Sequence, residues 1–127
     1  MKTLSILIVD DNSAARKLLR SVLVSLNIRL VIYEAASGKE AILLNKTDFY
    51  NIIFLDIEMP EMQGFDVLKE ILEEIPNQFV VIVSANATVV NVRKTIELGG
   101  KGFIAKPYTG EKVKGVIDKY LQIKKKS

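Results

Sequence analysis

Residues 5–11 read SILIVDD, an apolar run that ends in two adjacent aspartates, Asp10 and Asp11. Four further apolar runs, rich in β-branched residues, follow it along the chain. The five runs are Ser5–Val9, Leu30–Tyr33, Ile52–Leu55, Phe79–Val83 and Gly102–Ala105. Their nearly continuous Ile, Val, Leu and Phe are typical of parallel strands that are buried on both faces. The pattern therefore predicts five strands of one parallel sheet.

Amphipathic patterns predict a helix after each strand. We expect Ser13 to cap the first helix, and Ser37-Gly38 to open a short second one that ends at Leu44. The third helix is expected from Gly64 to Pro76, and the fourth from Thr88 to Leu98, before Gly99-Gly100. The apolar face of the first helix is predicted to hold Ala15, Leu18, Leu19, Val22 and Leu26, and that of the last Val113, Val116, Ile117, Tyr120 and Leu121. The chain is thus predicted to be an α/β protein with a doubly wound (βα)₅ sheet.

Composition narrows the functional classes. The chain has 127 residues, 49% hydrophobic and 26% charged, and we expect one domain over residues 1–127. It has no Cys and no His, so any metal must be bound by oxygen ligands, as Mg²⁺ prefers. No apolar run approaches the roughly 18 residues of a membrane span. We therefore expect a cytoplasmic protein without membrane insertion.

The formal net charge of +3 is concentrated near the C-terminus. Residues 1–105 carry 11 basic and 13 acidic side chains, a net charge of −2. Residues 106–127 carry seven Lys against Glu111 and Asp118, a net charge of +5. Because this charge is at one end rather than along a stripe, we expect no direct binding to nucleic acid. An acidic protein surface is the better predicted partner for Lys112–Lys126.

Polar residues stand where the predicted strands end. Asp10-Asp11, Asp56, Ser84 and Lys106 follow strands one, three, four and five. The carboxyl ends of parallel strands meet at one edge of the sheet, where ligands of doubly wound folds bind. Clustered carboxylates repel one another unless a cation joins them. Carboxylates, a divalent cation, a lysine and a hydroxyl are the groups needed to transfer a phosphoryl group onto a carboxylate.

Four motifs in order resemble those of a response regulator receiver domain of the single-domain CheY-like type. The motifs are IVDDN at 8–12, LDIEMPEMQG at 55–64, VSA at 83–85 and GFIAKP at 102–107. Together they extend the resemblance over essentially the whole chain. The resemblance implies a flavodoxin-like fold with strand order 2-1-3-4-5.

The resemblance also implies a role for each site residue. Asp56 would be the phosphoacceptor, and Asp10, Asp11, Asp56 and the backbone carbonyl of Glu58 would bind Mg²⁺ or Mn²⁺. Lys106 would contact the phosphoryl group, and Lys106-Pro107 would be a cis peptide. Ser84 and Phe103 would be the switch residues, and Glu58 and Asn86 would tune the lifetime of the phosphoryl group.

The implied function is that of a signalling switch and not of an enzyme acting on an outside substrate. The expected phosphoryl donor is a sensor histidine kinase or a His-phosphotransfer protein. A downstream effector would bind the face formed by helix four, strand five and helix five, and the resemblance allows a phosphorylation-dependent dimer. Chemotaxis-like docking, a phosphorelay step and a receiver fragment of a multidomain regulator remain open as outputs.

Two other classes share parts of this pattern. An aspartyl-phosphate phosphatase would carry its nucleophile after strand one in a D-x-D arrangement, whereas Asp10 and Asp11 are adjacent. A flavodoxin-like electron carrier needs a Ser/Thr-rich phosphate loop at that position, where two carboxylates would repel the FMN phosphate. Both classes are therefore less favoured than the receiver.

Overall fold

The structure is a computed structural model that describes residues 3–60 and 63–126. Within these ranges, five strands alternate with five helices. The strands are β1 (Leu4–Val9), β2 (Leu30–Ala35), β3 (Ile52–Asp56), β4 (Phe79–Ser84) and β5 (Gly102–Ala105). The helices are α1 (Ser13–Ser25), α2 (Gly38–Thr47), α3 (Gly64–Glu74), α4 (Val89–Glu97) and α5 (Gly110–Lys126). Glu61 and Met62 of the second motif, and the side chain of Lys126, lie outside the described residues.

All pairs of neighbouring strands are parallel, in the order β2-β1-β3-β4-β5. This confirms the predicted doubly wound, flavodoxin-like (βα)₅ fold. One apolar cluster joins α1 and α5 to one face of the sheet, and a second joins α2 and α3 to the other. The fold therefore leaves the carboxyl edge of the sheet uncovered by either helical layer.

Burial is complete in the centre of the sheet but not at its edges. Every residue of β3 and β4 is buried. The prediction that all five strands are buried on both faces is wrong for β2, where Val31 is 43% and Tyr33 48% exposed. β2 is an edge strand, so only one neighbouring strand covers it. In β5, at the other edge, Ile104 alone is fully buried.

The start of α1 differs from the prediction. Asn12, not Ser13, is the N-cap, because Asn12 has an extended backbone and its side-chain oxygen accepts a hydrogen bond from the Ala15 amide at 2.9 Å. Ser13 is already helical. Leu18 is 58% exposed, because the helix face that packs on the sheet is centred on Leu19 and Leu23. The predicted apolar face included Leu18 but omitted Leu23.

The other helix ends follow their sequence signals closely. Ser37 caps α2 by accepting from the Glu40 amide, and Thr88 caps α4 by accepting from the Asn91 amide. Gly99 ends α4 with φ 98°, a conformation that glycine adopts without strain. Helix α2 continues to Thr47, one turn beyond the predicted end at Leu44.

A substitution at Gly64 tests how tightly the loop after β3 is closed. A Cβ atom at this buried position would lie 2.2 Å from the Ile57 Cα atom, so Gly64→Ala forces the backbone apart. We expect the free energy of unfolding, measured by urea denaturation, to fall by about 1–3 kcal/mol. Gly115→Ala is the control, because that Cβ would meet nothing within 4 Å in the middle of α5. It should stabilise the protein by about 0.5–1 kcal/mol. A Gly64→Ala protein as stable as wild type would contradict the account of this loop.

Candidate functional site

The register of β1 and β3 brings two aspartates together. Val9 is paired with Leu55 in the parallel ladder, so Asp10 and Asp56 follow side by side at the carboxyl edge. Both residues are buried, with 6% and 5% exposure. Two carboxylates are therefore held close together where water screens them poorly.

Lys106 binds both of these carboxylates. Its Nζ atom lies 3.3 Å from Asp10 Oδ2 and 3.5 Å from Asp56 Oδ2. The lysine reaches this position because the last residue of β4, Ser84, is paired with Ala105, and the Lys106 amide continues the ladder by donating to the Ser84 carbonyl. Burial lowers the pKa of Lys106, but the charges of Asp56 and Asp10 outweigh this effect, so its pKa is raised. The ammonium group therefore stays charged at neutral pH.

Asp56 is the most perturbed carboxyl group of the site. Burial raises its pKa to about 6, and the charges of Asp10 and Glu58 act in the same direction. The Glu58 backbone amide, which donates to Asp56 Oδ1 at 3.0 Å, and the Lys106 charge lower the pKa in part. Asp56 is thus ionised at neutral pH, although its charge is incompletely compensated. A carboxylate in this state is available as a nucleophile or a cation ligand.

The donor set fits a hard divalent cation. Asp10, Asp11 and Asp56 each offer a carboxylate oxygen, and these oxygens lie within 4.8 Å of one another. Asp11 is exposed whereas the other two are buried, so a bound ion could keep water ligands on the Asp11 side. Oxygen ligands with several retained waters are the coordination that Mg²⁺ prefers. The carbonyl of Glu58 as a further ligand stays a prediction.

Ser84 and Glu58 form a second group beside the aspartates. The Ser84 hydroxyl, in a fully buried residue, donates to Glu58 Oε2 at 2.6 Å. The Ala85 amide donates to Glu58 Oε1 at 3.0 Å, and the Asn86 amide donates to Ser84 Oγ at 2.9 Å. The Glu58 carboxylate thus binds two donors at the end of β4. The sequence placed Glu58 near this site but did not predict the contact.

The remaining predicted features are Phe103, Asn86 and the Lys106–Pro107 peptide. Phe103 is half-buried in β5 and packs against the apolar cluster of α2 and α3. Asn86 is exposed, and its carbonyl accepts from Asn91 Nδ2 at 2.9 Å, which ties the loop after β4 to α4. The Lys106–Pro107 peptide bond is cis.

Sequence reasoning missed the groups that hold the Asp10-Asp11 loop. The Asn12 amide donates to Asp10 Oδ1 at 2.9 Å, and an Arg16 guanidinium N–H donates to the Asp10 carbonyl at 2.7 Å. Glu34, at the end of β2, binds the same guanidinium. An arginine in the first turn of α1 and a lone carboxylate in the apolar β2 run were the available signals.

Within the described ranges, no helix is long and apolar enough to cross a membrane.

Comparison with known proteins points to one family. A family model described as "Response regulator receiver domain" matches residues 6–118. The chain is 35% identical over 114 residues to a chemotaxis protein CheY of Thermotoga maritima, covering 90% of this chain and 94% of the relative. It is 34% identical over 116 residues to a chemotaxis protein CheY of Bacillus subtilis, covering 91% and 96%.

Solved structures share the fold over nearly the whole chain. A CheY-like receiver domain from Methanospirillum hungatei superposes with a TM-score of 0.85 at 23% identity, covering 99% of this chain and 100% of that one. The CheX-CheY-BeF3-Mg+2 complex from Borrelia burgdorferi contains a chain with a TM-score of 0.82 at 32% identity, covering 90% and 86%. Because the family match spans most of the sequence and the relatives align almost end to end, the chain belongs to the response regulator receiver domain family and is CheY-like.

Proposed function

We propose that this receiver accepts a phosphoryl group on Asp56 in a cation-dependent reaction and thereby changes its affinity for a partner protein. The observation that carries the proposal is the position of Lys106, whose ammonium group spans Asp10 and Asp56 at 3.3 and 3.5 Å. An ammonium group that lies between two carboxylates can move to a phosphoryl oxygen when one of the carboxylates is phosphorylated. The third carboxylate of the cluster, Asp11, is exposed on the same edge.

The proposed reaction is an in-line displacement at phosphorus. An oxygen of ionised Asp56 forms a bond to the phosphorus atom of a phosphohistidine, and the P–N bond to the imidazole breaks. The imidazole leaves with the bonding electron pair and takes up a proton. This chain has no His, so the imidazole belongs to a partner, a sensor histidine kinase or a His-phosphotransfer protein.

Asp10, Asp11, Asp56 and the carbonyl of Glu58 would hold Mg²⁺ or Mn²⁺. When bound, such an ion neutralises charge on the phosphoryl oxygens. Lys106 would shift from the paired aspartates toward a phosphoryl oxygen, while Asp10 stays fixed by the Asn12 amide and Arg16. The chain's own role is therefore to orient the Asp56 nucleophile and to supply one mobile positive charge.

The proposed switch involves the end of β4 and the middle of β5. A phosphoryl group on Asp56 adds about two negative charges and three acceptor oxygens, which compete with Glu58 for the Ser84 hydroxyl and the Ala85 amide. Ser84 would move toward Asp56, and Phe103 would rotate into the space it leaves. Asn86 and Glu58 would tune how long the phosphoryl group survives.

The proposed readout is on the face formed by α4, β5 and α5. Apolar side chains of α4 are strongly exposed, with Val89 at 71%, Val90 at 72% and Ile96 at 69%. The lysines of α5 border this face, so an effector with an acidic surface is the proposed partner. The Borrelia CheY, which was crystallised in a complex with CheX, BeF3 and Mg+2, supports binding of a partner protein.

Several expectations stay predictions. These are the single domain over residues 1–127, the cytoplasmic location, the phosphorylation-dependent dimer and the absence of enzymatic activity beyond self-phosphorylation and self-dephosphorylation. The output is proposed as chemotaxis-like docking on an effector, with a phosphorelay step as the alternative.

Replacing the nucleophile tests the acceptor. Asp56→Asn should abolish Mg²⁺-dependent labelling by acetyl phosphate, measured as a mass increase of the intact protein, because an amide cannot form the acyl phosphate. Asp66→Asn, an exposed residue in the first turn of α3, is the control and should label like wild type. Full labelling of Asp56→Asn would rule out Asp56 as the acceptor.

Metal binding should stabilise the fold. Mg²⁺ at about 100 times its Kd should raise the free energy of unfolding by about 2.7 kcal/mol, since the ion binds the folded state. Thermal unfolding measures this, with tetramethylammonium chloride at the same ionic strength, about three times the molar concentration of MgCl2, as the reference. Asp11→Asn should lose most of the effect. Equal stabilisation of wild type and Asp11→Asn would contradict a site at these carboxylates.

Shortening Glu58 tests its competition with the phosphoryl group. Glu58→Ala frees the Ser84 hydroxyl and the Ala85 amide, so the affinity for the phosphoryl analogue beryllofluoride with Mg²⁺ should rise by about tenfold. Calorimetric titration measures this affinity. Glu58→Asp keeps the charge but is one methylene shorter, and it should also bind more tightly if the contact matters. An unchanged affinity in Glu58→Ala would show that Glu58 does not compete.

A further inference from the structure

Arg16 joins the acidic loop to the neighbouring edge strand. Its side chain is only 17% exposed. One guanidinium N–H donates to the Asp10 carbonyl at 2.7 Å, and Nε donates to Glu34 Oε1 at 2.8 Å. The flat guanidinium fork presents donors in fixed directions, so one side chain can bind the loop and β2 at the same time. A lysine has a single ammonium and no such fork.

Glu34 keeps this guanidinium in place. Hydrogen bonds from Arg16 and then Arg20 lower the pKa of Glu34, so the carboxylate is charged at neutral pH. Its second oxygen, Oε2, lies 2.8 Å from a terminal nitrogen of Arg20. Arg20 also donates to the Ile32 carbonyl at 3.4 Å. Arg20 thus donates hydrogen bonds to Glu34 and to the backbone of β2. Of the two arginines, Arg16 is the one that donates to Asp10.

The Asp10 carbonyl belongs to the peptide group that carries Asp11. Because that group is planar, fixing its carbonyl oxygen also fixes the direction of the Asp11 amide. The other polar groups of Asp10 are held as well. Its amide donates to the Ala35 carbonyl at 3.1 Å, Oδ1 accepts from the Asn12 amide, and Oδ2 binds Lys106. Arg16 therefore fixes the plane from which both adjacent carboxylates project.

We propose that Arg16, oriented by Glu34, is a positioning residue for the cation site of Asp10 and Asp11. The inference rests on the proposed function, since it presumes that these carboxylates bind a divalent ion. Removing a group that orients a metal ligand typically lowers the metal affinity by about 10- to 100-fold. The sign of the change in cation affinity distinguishes a positioning role of Arg16 from a purely electrostatic role. Removing a positive charge near a cation site should tighten cation binding, whereas losing the position of the ligands should weaken it.

The test is the Mg²⁺ dissociation constant of the full chain, measured by isothermal titration calorimetry. Arg16→Gln should raise the Kd by roughly tenfold. Arg20→Gln is the matched control, because it removes the other arginine bound to Glu34 and an equal charge but no contact with Asp10. Its Kd should stay within about twofold of wild type. Circular dichroism and urea unfolding of the metal-free proteins show that each variant is folded.

Arg16→Lys carries the same test if Arg16→Gln does not fold. It keeps the positive charge but lacks the guanidinium fork that joins the Asp10 carbonyl to Glu34, and its Kd should rise beyond that of Arg20→Gln. A wild-type or lower Kd in Arg16→Gln, or equal changes in Arg16→Gln and Arg20→Gln, would overturn the proposal. Failure of the wild-type chain to bind Mg²⁺ would instead contradict the proposed cation site itself.

Discussion

The pairing of β1 with β3 imposes the constraint on which the site depends. Because Val9 is opposite Leu55, Asp10 and Asp56 are forced side by side at the ends of buried strands. Their mutual repulsion and burial are unfavourable, and burial chiefly keeps the pKa of Asp56 near 6. Lys106 and backbone amides compensate part of this charge. The fold thus maintains an excess of negative charge that a divalent cation can neutralise.

The parallel sheet also fixes the positions of the other site residues relative to the two aspartates. Each polar residue follows a strand whose position is fixed by its neighbours, so Asp56, Ser84 and Lys106 cannot separate widely. The side chains have more freedom than the strands. Glu58 binds Ser84 and Ala85 from the loop after β3. In the proposed switch, this contact is exchanged for a phosphoryl group without rearrangement of the sheet. A rigid edge with exchangeable side-chain contacts is well suited to a two-state switch.

The sequence predicted whatever depends on strand periodicity and on the residues at strand ends. The sheet order followed from the family resemblance, and the meeting of Asp10, Asp56 and Lys106 from the parallel topology. Hydrogen bonds that depend on how far a side chain extends toward another element could not be predicted from the sequence. Arg16 looked like an ordinary polar residue of an amphipathic helix, and its bond to the Asp10 carbonyl depends on Glu34 from another strand. Asn12 and Ser13 are both good capping residues, and only the backbone conformation distinguishes them. The exposure of β2 follows from its edge position rather than from its composition.

The most direct test of the central claim is a map of backbone amide chemical shifts on adding Mg²⁺ and beryllofluoride together to the ¹⁵N-labelled protein. If the carboxyl edge is one phosphoryl-binding switch, the shifts should include the loops after β1, β3 and β4 and extend through β5 to Phe103. Beryllofluoride should produce the shifts at Ala85 and Phe103 only when Mg²⁺ is present. Shifts confined to Asp10 and Asp11, with β4 and β5 unchanged, would contradict the account.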